Sequence, residues 1–583
     1  MKRMMRFCLL MAAIAMMACG KPFSVEFADD NTATIRMSKA QEQTLWIPLD
    51  NSADNVRLTV VGSKEITVPL NARIAVEKVQ YWMPLQLDSS IQEVVIEGVP
   101  TEAVAWQALK VGENPNKEEK YRQVAHYTPK IGWINDPNGM VYLDGEWHLF
   151  HQYNPMGSRW GNMSWGHAVS RDLVKWEYLP TALYPDEIGA IFSGSCVIDK
   201  NNTAGFGEGA MIAIYTSAGR KQTQSIAYST DNGRTFTKYD KNPVLESEQV
   251  DFRDPKVFWH EPTERWIMPL ACGNAMEFYS SPNLREWQFE SRFGEDYGCH
   301  GGVWECPDLF EMPYKDGTKW VLFCSLTKNP EHGSSVQYFV GEFDGHTFVC
   351  DTPKEQTDFV GWGRDNYAIV TWSNAPDGRR VALGWQNNWQ YGSEEEFPTT
   401  DFRSYMSLPC ELKLVEHEGR AKLISQPVKE FSSYLKEIHA QQDIAITADY
   451  KVPATLAGNE ALWIECLLEN KSAQTMGVVL SNDKGEEVKI YFDNKAQAFK
   501  VDRTKSGEVD FHEMFAGEIE APMSSAKQQK LTIVVDRASV ECFTDISATS
   551  DLVFPTQGYN HITLYTVGGE ATAKEIKVSR IEI

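Results

Sequence analysis

The chain lacks a gathered basic surface. Its formal net charge is −24 over 583 residues, and its lysines and arginines are scattered. Binding nucleic acid requires a clustered basic footprint, so nucleic acid is excluded as a partner and a neutral substrate fits the surface better. It also lacks a cysteine framework. The 11 cysteines are widely spaced and contain no Cys-x-x-Cys pair, which argues against a disulfide scaffold and a zinc site. Beyond Cys19 nine remain, an odd number, and they read as buried small apolar residues. No metal or cofactor motif is signalled. The run beginning at Asp136 could open a calcium loop, but Pro137 breaks the required ligand rhythm.

The conspicuous apolar run, Phe7 to Met17, is too short to span a bilayer and follows Lys2, Arg3 and Arg6. Met16-Met17-Ala18-Cys19-Gly20 then resembles a bacterial lipobox, with Met16 where leucine is commoner. Residues 1–19 are therefore expected to be a lipoprotein-type export signal. Cys19 would be acylated, anchoring the exported protein to a membrane on its periplasmic or outer face.

What the chain has is aromatics separated by turn residues: 18 Trp, 22 Tyr and 27 Phe among 40 Gly and 27 Pro. That pattern predicts many short strands and an all-β fold. Residues 24–110 alternate in short runs such as Val56 to Val61, predicting a small N-terminal β-sandwich. Val111 to Lys120 reads as a linker, 121–415 as an aromatic-rich block, and 416–440 as a second linker-like region. Residues 430–583 alternate again, as a C-terminal β-sandwich would. In the central block Ser170-Arg-Asp-Leu-Val-Lys-Trp176 recurs from Ser229 to Phe236 and from Ser281 to Trp287, and more weakly from Phe343 to Phe348. A period of 50–60 residues suits four-stranded propeller blades, and the length of the block suits five of them.

Polar motifs fall on the same ruler. Asp136, Ser193, Asp254, Glu305 and Asp365 are separated by 57, 61, 51 and 60 residues, one to each repeat. Equivalent positions of successive blades form a ring, so these five are expected to converge on one central funnel. Asp-Pro-Asn-Gly alone would be ordinary turn chemistry; the recurrence is what lifts it above that. Three acids in one funnel can divide a double displacement among a nucleophile, a proton donor and a group that holds sugar hydroxyls in the transition state. Arg253 is expected to keep Asp254 ionised and to bind a hydroxyl. The apolar flanks of Glu305, Trp304 and Cys306-Pro307, suit it to be the acid.

With these motifs in place, residues 121–415 resemble the five-bladed catalytic propeller of glycoside hydrolase family 32, the invertase, inulinase and levanase family. The resemblance rests on His126 to Pro129, Trp133 to Gly139, His148 to Pro155, Trp165 to Ser170, Phe192 to Ser195, Arg253 to Pro255, Glu305-Cys306 and Leu383 to Trp389, in the family's order. Val535 to Phe543 resembles the family's C-terminal β-sandwich. The resemblance implies a retaining hydrolase of fructans or sucrose that needs no cofactor and no metal. It implies that Asp136 is the nucleophile, Glu305 the acid/base and Asp254 the transition-state stabiliser, with the two reacting carboxyls about 5–5.5 Å apart. Asn135, Gln152, Trp160, Phe192, Ser193, Arg253 and Trp385 would line the fructose subsite. Gly361, Phe402 and Cys410 depart from the usual pattern. The alternatives are a fructosyltransferase on the same scaffold, or a fructan-binding surface protein without catalysis. The N-terminal domain lies outside the minimal family architecture.

Overall fold

In a computed structural model of the protein, residues 22–37, 43–88, 90–91 and 93–583 are described. The signal-like segment with Cys19 lies outside them. Among the described residues the fold is strand throughout, apart from the single helical turn Ala105–Ala108 and three short 3-10 turns. The nine cysteines they contain are free thiols.

The N-terminal domain packs a five-stranded sheet on a three-stranded one. Tyr81–Leu87 shows why: its buried residues alternate with open ones, so one face meets the core of Ile35, Leu45, Ile47, Leu58 and Val94. Lys110–Val111 pairs with Leu45–Trp46 and closes the smaller sheet.

Five sheets follow, forming the blades of the propeller. Their inner strands are Gly132–Leu143, Ala190–Asp199, Phe252–Arg253, Trp304–Tyr314 and Tyr367–Thr371. The ring is closed by a late segment added beside the first inner strand, with Phe402–Arg403 pairing in parallel with Gly132 and Trp133. The last blade runs further than the sequence suggests. Cys410–His417 and Arg420–Pro427 are its outer hairpin, turning through Glu418 and Gly419 in left-handed conformations. Part of the segment read as linker-like is thus blade strand, followed by the 3-10 turn Lys429–Tyr434 and the strand Leu435–Ile446. Arg420–Pro427 buries only Leu423, so it carries too little alternation to be read as a strand.

Two six-stranded sheets form the C-terminal sandwich. Its seam with the propeller carries buried ion pairs among apolar contacts. His126 is held between Asp536 at 2.9 Å and Glu541 at 3.0 Å. Arg503, wholly buried, meets Asp365 at 2.5 Å and also donates to the Tyr391 hydroxyl and the Leu552 carbonyl. The three departures from the family pattern stay clear of the axis. Gly361 faces Ala548 of the sandwich, Phe402 lies in the core under Arg122, and the buried Cys410 thiol donates to the Leu408 carbonyl.

Candidate active site

Each inner strand carries one residue more than its neighbour can pair, at the same end of the blade. Asn135 and Asp136 oppose Gln152 alone, and Phe192 and Ser193 oppose Thr216. Cys306 and Pro307 oppose Cys324, and Ala368 and Ile369 oppose Gly384. In the third blade the run from Arg253 to Phe258 spans one residue more than the facing run from Ile267 to Ala271. A bulge re-aims the side chains beside it, and five at one level turn a barrel-like wall into a mouth. Asp254, Cys306 and Ala368 sit here at φ of 65°, 46° and 52°, backbone that non-glycine residues rarely adopt and that gathers at functional sites. Gly139 shows the crowding beneath. A Cβ there would come within 2.7 Å of the Phe150 ring and 2.9 Å of Trp165.

The bulges surround a cavity of about 160 Å³. Asp136, Asp254 and Glu305 all line it, with Asn135, Gln152, Trp160, Phe192, Ser193 and Arg253. Asp136 and Asp254 are buried, whereas Glu305 keeps 17% of its side chain open. Both oxygens of Asp136 accept hydrogen bonds, from Ser193 Oγ at 2.6 Å and from Asn135 Nδ2 at 3.1 Å. Asn135 is itself fixed by the Trp133 indole N–H at 2.8 Å. Asp254 accepts the backbone N–H of Cys306 at 3.0 Å, and the Cys306 thiol lies 3.5 Å from Asp136 and 3.6 Å from Asp254.

Arg253 corrects one expectation. Its guanidinium is spent on Glu305 Oε1, at 3.1 and 2.9 Å, and on Asp251 at 2.6 Å. Asp254 is not held low; burial pushes its carboxyl up to about 7, with Arg253 opposing and Glu305 and Asp136 adding to the rise. Glu305 is also raised, first by burial, against the pull of Arg253, with Asp136 adding to the rise.

Two other expectations fail on geometry. Trp385 is wholly buried and does not reach the cavity. It sits on Val381–Gln386, paired with Tyr367 and Met406, as the floor behind Trp133 and Trp389. Trp389, four residues on in the same motif, is the indole that lines the cavity. Asp365 does not join the ring either; it faces the C-terminal sandwich and pairs with Arg503. The fifth blade contributes Tyr367 instead, whose hydroxyl donates to Glu305 Oε2 at 2.6 Å. The period counted along the chain landed two residues short of it.

Comparison with known proteins gives the same arrangement a context. Residues 126–427 match the glycosyl hydrolases family 32 N-terminal domain, and residues 421–580 the family's C-terminal domain. Residues 29–124 match a domain of unknown function, DUF4980. A levanase of Bacillus subtilis (strain 168) is 43% identical over 479 residues, covering 79% of this chain and 70% of its own. An extracellular exo-inulinase of Aspergillus awamori is 37% identical over 517 residues, covering 80% of this chain and 95% of its own. The crystal structure of exo-inulinase from Aspergillus awamori superposes with a TM-score of 0.75 at 35% identity, covering 80% of this chain and 99% of the other. A fructofuranosidase from Schwanniomyces occidentalis complexed with fructose gives 0.74 at 32%, covering 80% and 100%.

Proposed function

The chain belongs to glycoside hydrolase family 32, and from that premise we propose that it is a retaining exo-hydrolase releasing terminal β-D-fructofuranosyl units from levan, inulin or sucrose. One observation carries the reading: three carboxylates meet in one cavity, Asp136 held by the neutral donors Ser193 and Asn135 and Glu305 by the Arg253 guanidinium and the Tyr367 hydroxyl. Asp136, with donors on both oxygens, is the nucleophile. Its carboxylate attacks the anomeric carbon while Glu305 gives its proton to the glycosidic oxygen, so the leaving sugar departs neutral. Glu305 is then anionic, and Arg253 and Tyr367 stabilise that form. In the second step Glu305 takes a proton from water, the water oxygen attacks the anomeric carbon, and Asp136 is released. The partial exposure of Glu305 suits a group that must meet first a leaving group and then water.

Asp254 holds ring hydroxyls through the transition state. With its pKa near 7 it offers either a proton or a lone pair to a hydroxyl. A cavity of this size, walled by Trp389 and Trp160, favours one ring at a chain end over an internal segment of a polymer. The relatives named as extracellular support export, and we place the mature protein outside the cytoplasm on an acyl chain at Cys19. Incubating the protein with levan, inulin and sucrose in parallel and following products over time tests the function. Fructose as the only small sugar released from levan and inulin, and equal amounts of glucose and fructose from sucrose, are expected from the first time point. A ladder of oligosaccharides would replace exo with endo action, transfer products at high sucrose would indicate a fructosyltransferase, and no product from any substrate would overturn the reading.

A further inference from the structure

The N-terminal domain reaches the rim of the active site through one loop. Residues 155–162 leave the first blade, and Asn154 ties the loop at both ends, donating to the Arg159 carbonyl at 2.7 Å and accepting from Asn162 at 2.9 Å. The N-terminal domain grips the same loop. Asn51 donates to Ser158 Oγ at 2.9 Å, and Ser158 N–H donates to the Tyr81 hydroxyl at 3.0 Å. Asn71 exchanges its backbone N–H and carbonyl with the Asn162 amide, both at 2.8 Å. The loop's tip is Trp160, 49% exposed and edge-on to Phe192.

Trp160 lines two hollows. One is the cavity of the three carboxylates. The other, about 50 Å³, lies between the loop and the N-terminal domain and is lined by Asn55, Asn71, Arg73 and Arg159 among others. Its polar groups are underused. Among the described residues Asn71 spends its backbone on Asn162 and leaves its side-chain amide without a protein partner. Arg73 makes one hydrogen bond, to the Ala53 carbonyl, from a fork of five N–H donors. Asn55 is exposed. At about 50 Å³ the hollow has room for a few water molecules. It is large enough for the hydroxyl edge of a sugar lying on the indole.

We propose that the N-terminal domain completes a leaving-side subsite, in which a sugar unit beyond the first leaving residue stacks on Trp160 and hydrogen-bonds Asn71 and Arg73. An amide offers a donor and an acceptor to neighbouring hydroxyls, the guanidinium adds a fixed fork, and the indole covers the apolar C–H face. The domain is then part of the enzyme's choice of substrate, favouring chains of three or more units. This inference rests on the fructoside reading above.

The test compares kcat/KM for sucrose and for tri- and tetrasaccharide fructans in the full chain and in the double variant Asn71→Ala/Arg73→Ala. The oligosaccharide-to-sucrose ratio is expected to fall about ten-fold, mostly through KM, as for one or two lost hydrogen bonds. Asn55→Ala, at an exposed position where folding is not at stake, should lower the ratio by a smaller factor. An unchanged ratio in both variants, with melting temperatures like the parent's, would overturn the subsite. A parent inactive on every fructoside would instead remove the fructoside reading, and the subsite with it.

Discussion

Two of the places where the propeller buries ionisable groups, the seam with the C-terminal sandwich and the axis, differ in how those groups are paired. At the seam with the C-terminal sandwich one histidine, His126, stands between Asp536 and Glu541, and Arg503 meets Asp365, while Asp551 nearby forms no ion pair among the described residues and is raised to about 6. At the axis three acids share Arg253 alone. The consequence is read in Asp536 and Asp254, both buried aspartates. Burial raises each, but hydrogen bonding and charge from His126 bring Asp536 below its ordinary value, while Asp254 stands at about 7. Paired buried charge fixes a domain interface; unpaired buried charge stores a proton where chemistry can use it.

The sharpest way to break the comparison is to remove charge from each place. Asp136→Asn deletes the nucleophile and is expected to lower fructose release by at least about 10³-fold. It relieves crowding of like charge, so the melting temperature should hold or rise. A fully active variant would end the catalytic assignment. Glu305→Gln should cost about 10²–10⁴-fold on natural fructans. A fructoside with a good leaving group needs no proton in the first step, so its first-step burst should be spared. Equal loss on both substrates would deny Glu305 the acid's role.

The seam should answer in stability instead. His126→Gln leaves Asp536 and Glu541 without their cation, a loss of about 3–5 kcal/mol for a broken buried pair. Activity per folded molecule should persist. The pH dependence has a defined sign. His126 is raised from 6.5 to about 9, so its contribution is whole below its unfolded value and fades as pH rises through about 9. Asp536 is lowered, so its contribution is present above about 3.8 and lost as pH falls through its lower folded value. Thermal melts should therefore show an alkaline loss in the parent that is absent in His126→Gln. A variant whose melts match the parent's across that range would show that the seam draws nothing from this histidine.

The two places were not equally legible in the sequence. The axis was, because a repeat of fixed length puts equivalent residues on a ring, and Asp136, Ser193, Asp254 and Glu305 all reach the cavity. The ruler failed where local geometry intervenes. In the fifth blade the bulge after Tyr367 and the pull of Arg503 send Asp365 to the seam, so a tyrosine takes the place counted for an acid. Trp385 and Trp389 share a motif, and only strand pairing reveals that the first is floor and the second wall. The seam joins residues some 410 positions apart, His126 with Asp536, and the motifs containing them gave no sign that they meet. The grip of the N-terminal domain on the Trp160 loop was equally hidden, since Asn51, Asn71 and Tyr81 belong to no repeat.

The mildest change isolates how the axis holds its proton. Tyr367 donates to Glu305 and favours the carboxylate, acting in the same direction as Arg253 and against burial. Tyr367→Phe removes one hydrogen bond to a group that becomes charged during the reaction, a loss of about 1.5–3 kcal/mol, or roughly 10- to 150-fold in kcat. Because the lost bond favoured the ionised form, the pKa of Glu305 must rise. The acid then stays protonated to higher pH, and the alkaline limb of kcat/KM moves upward while the maximum falls. A purely structural role for Tyr367 would lower the whole profile and leave that limb in place. If the limb moves downward instead, the group titrating there is not Glu305, and Asp254, the other raised carboxylate in the cavity, becomes the proton donor to test next.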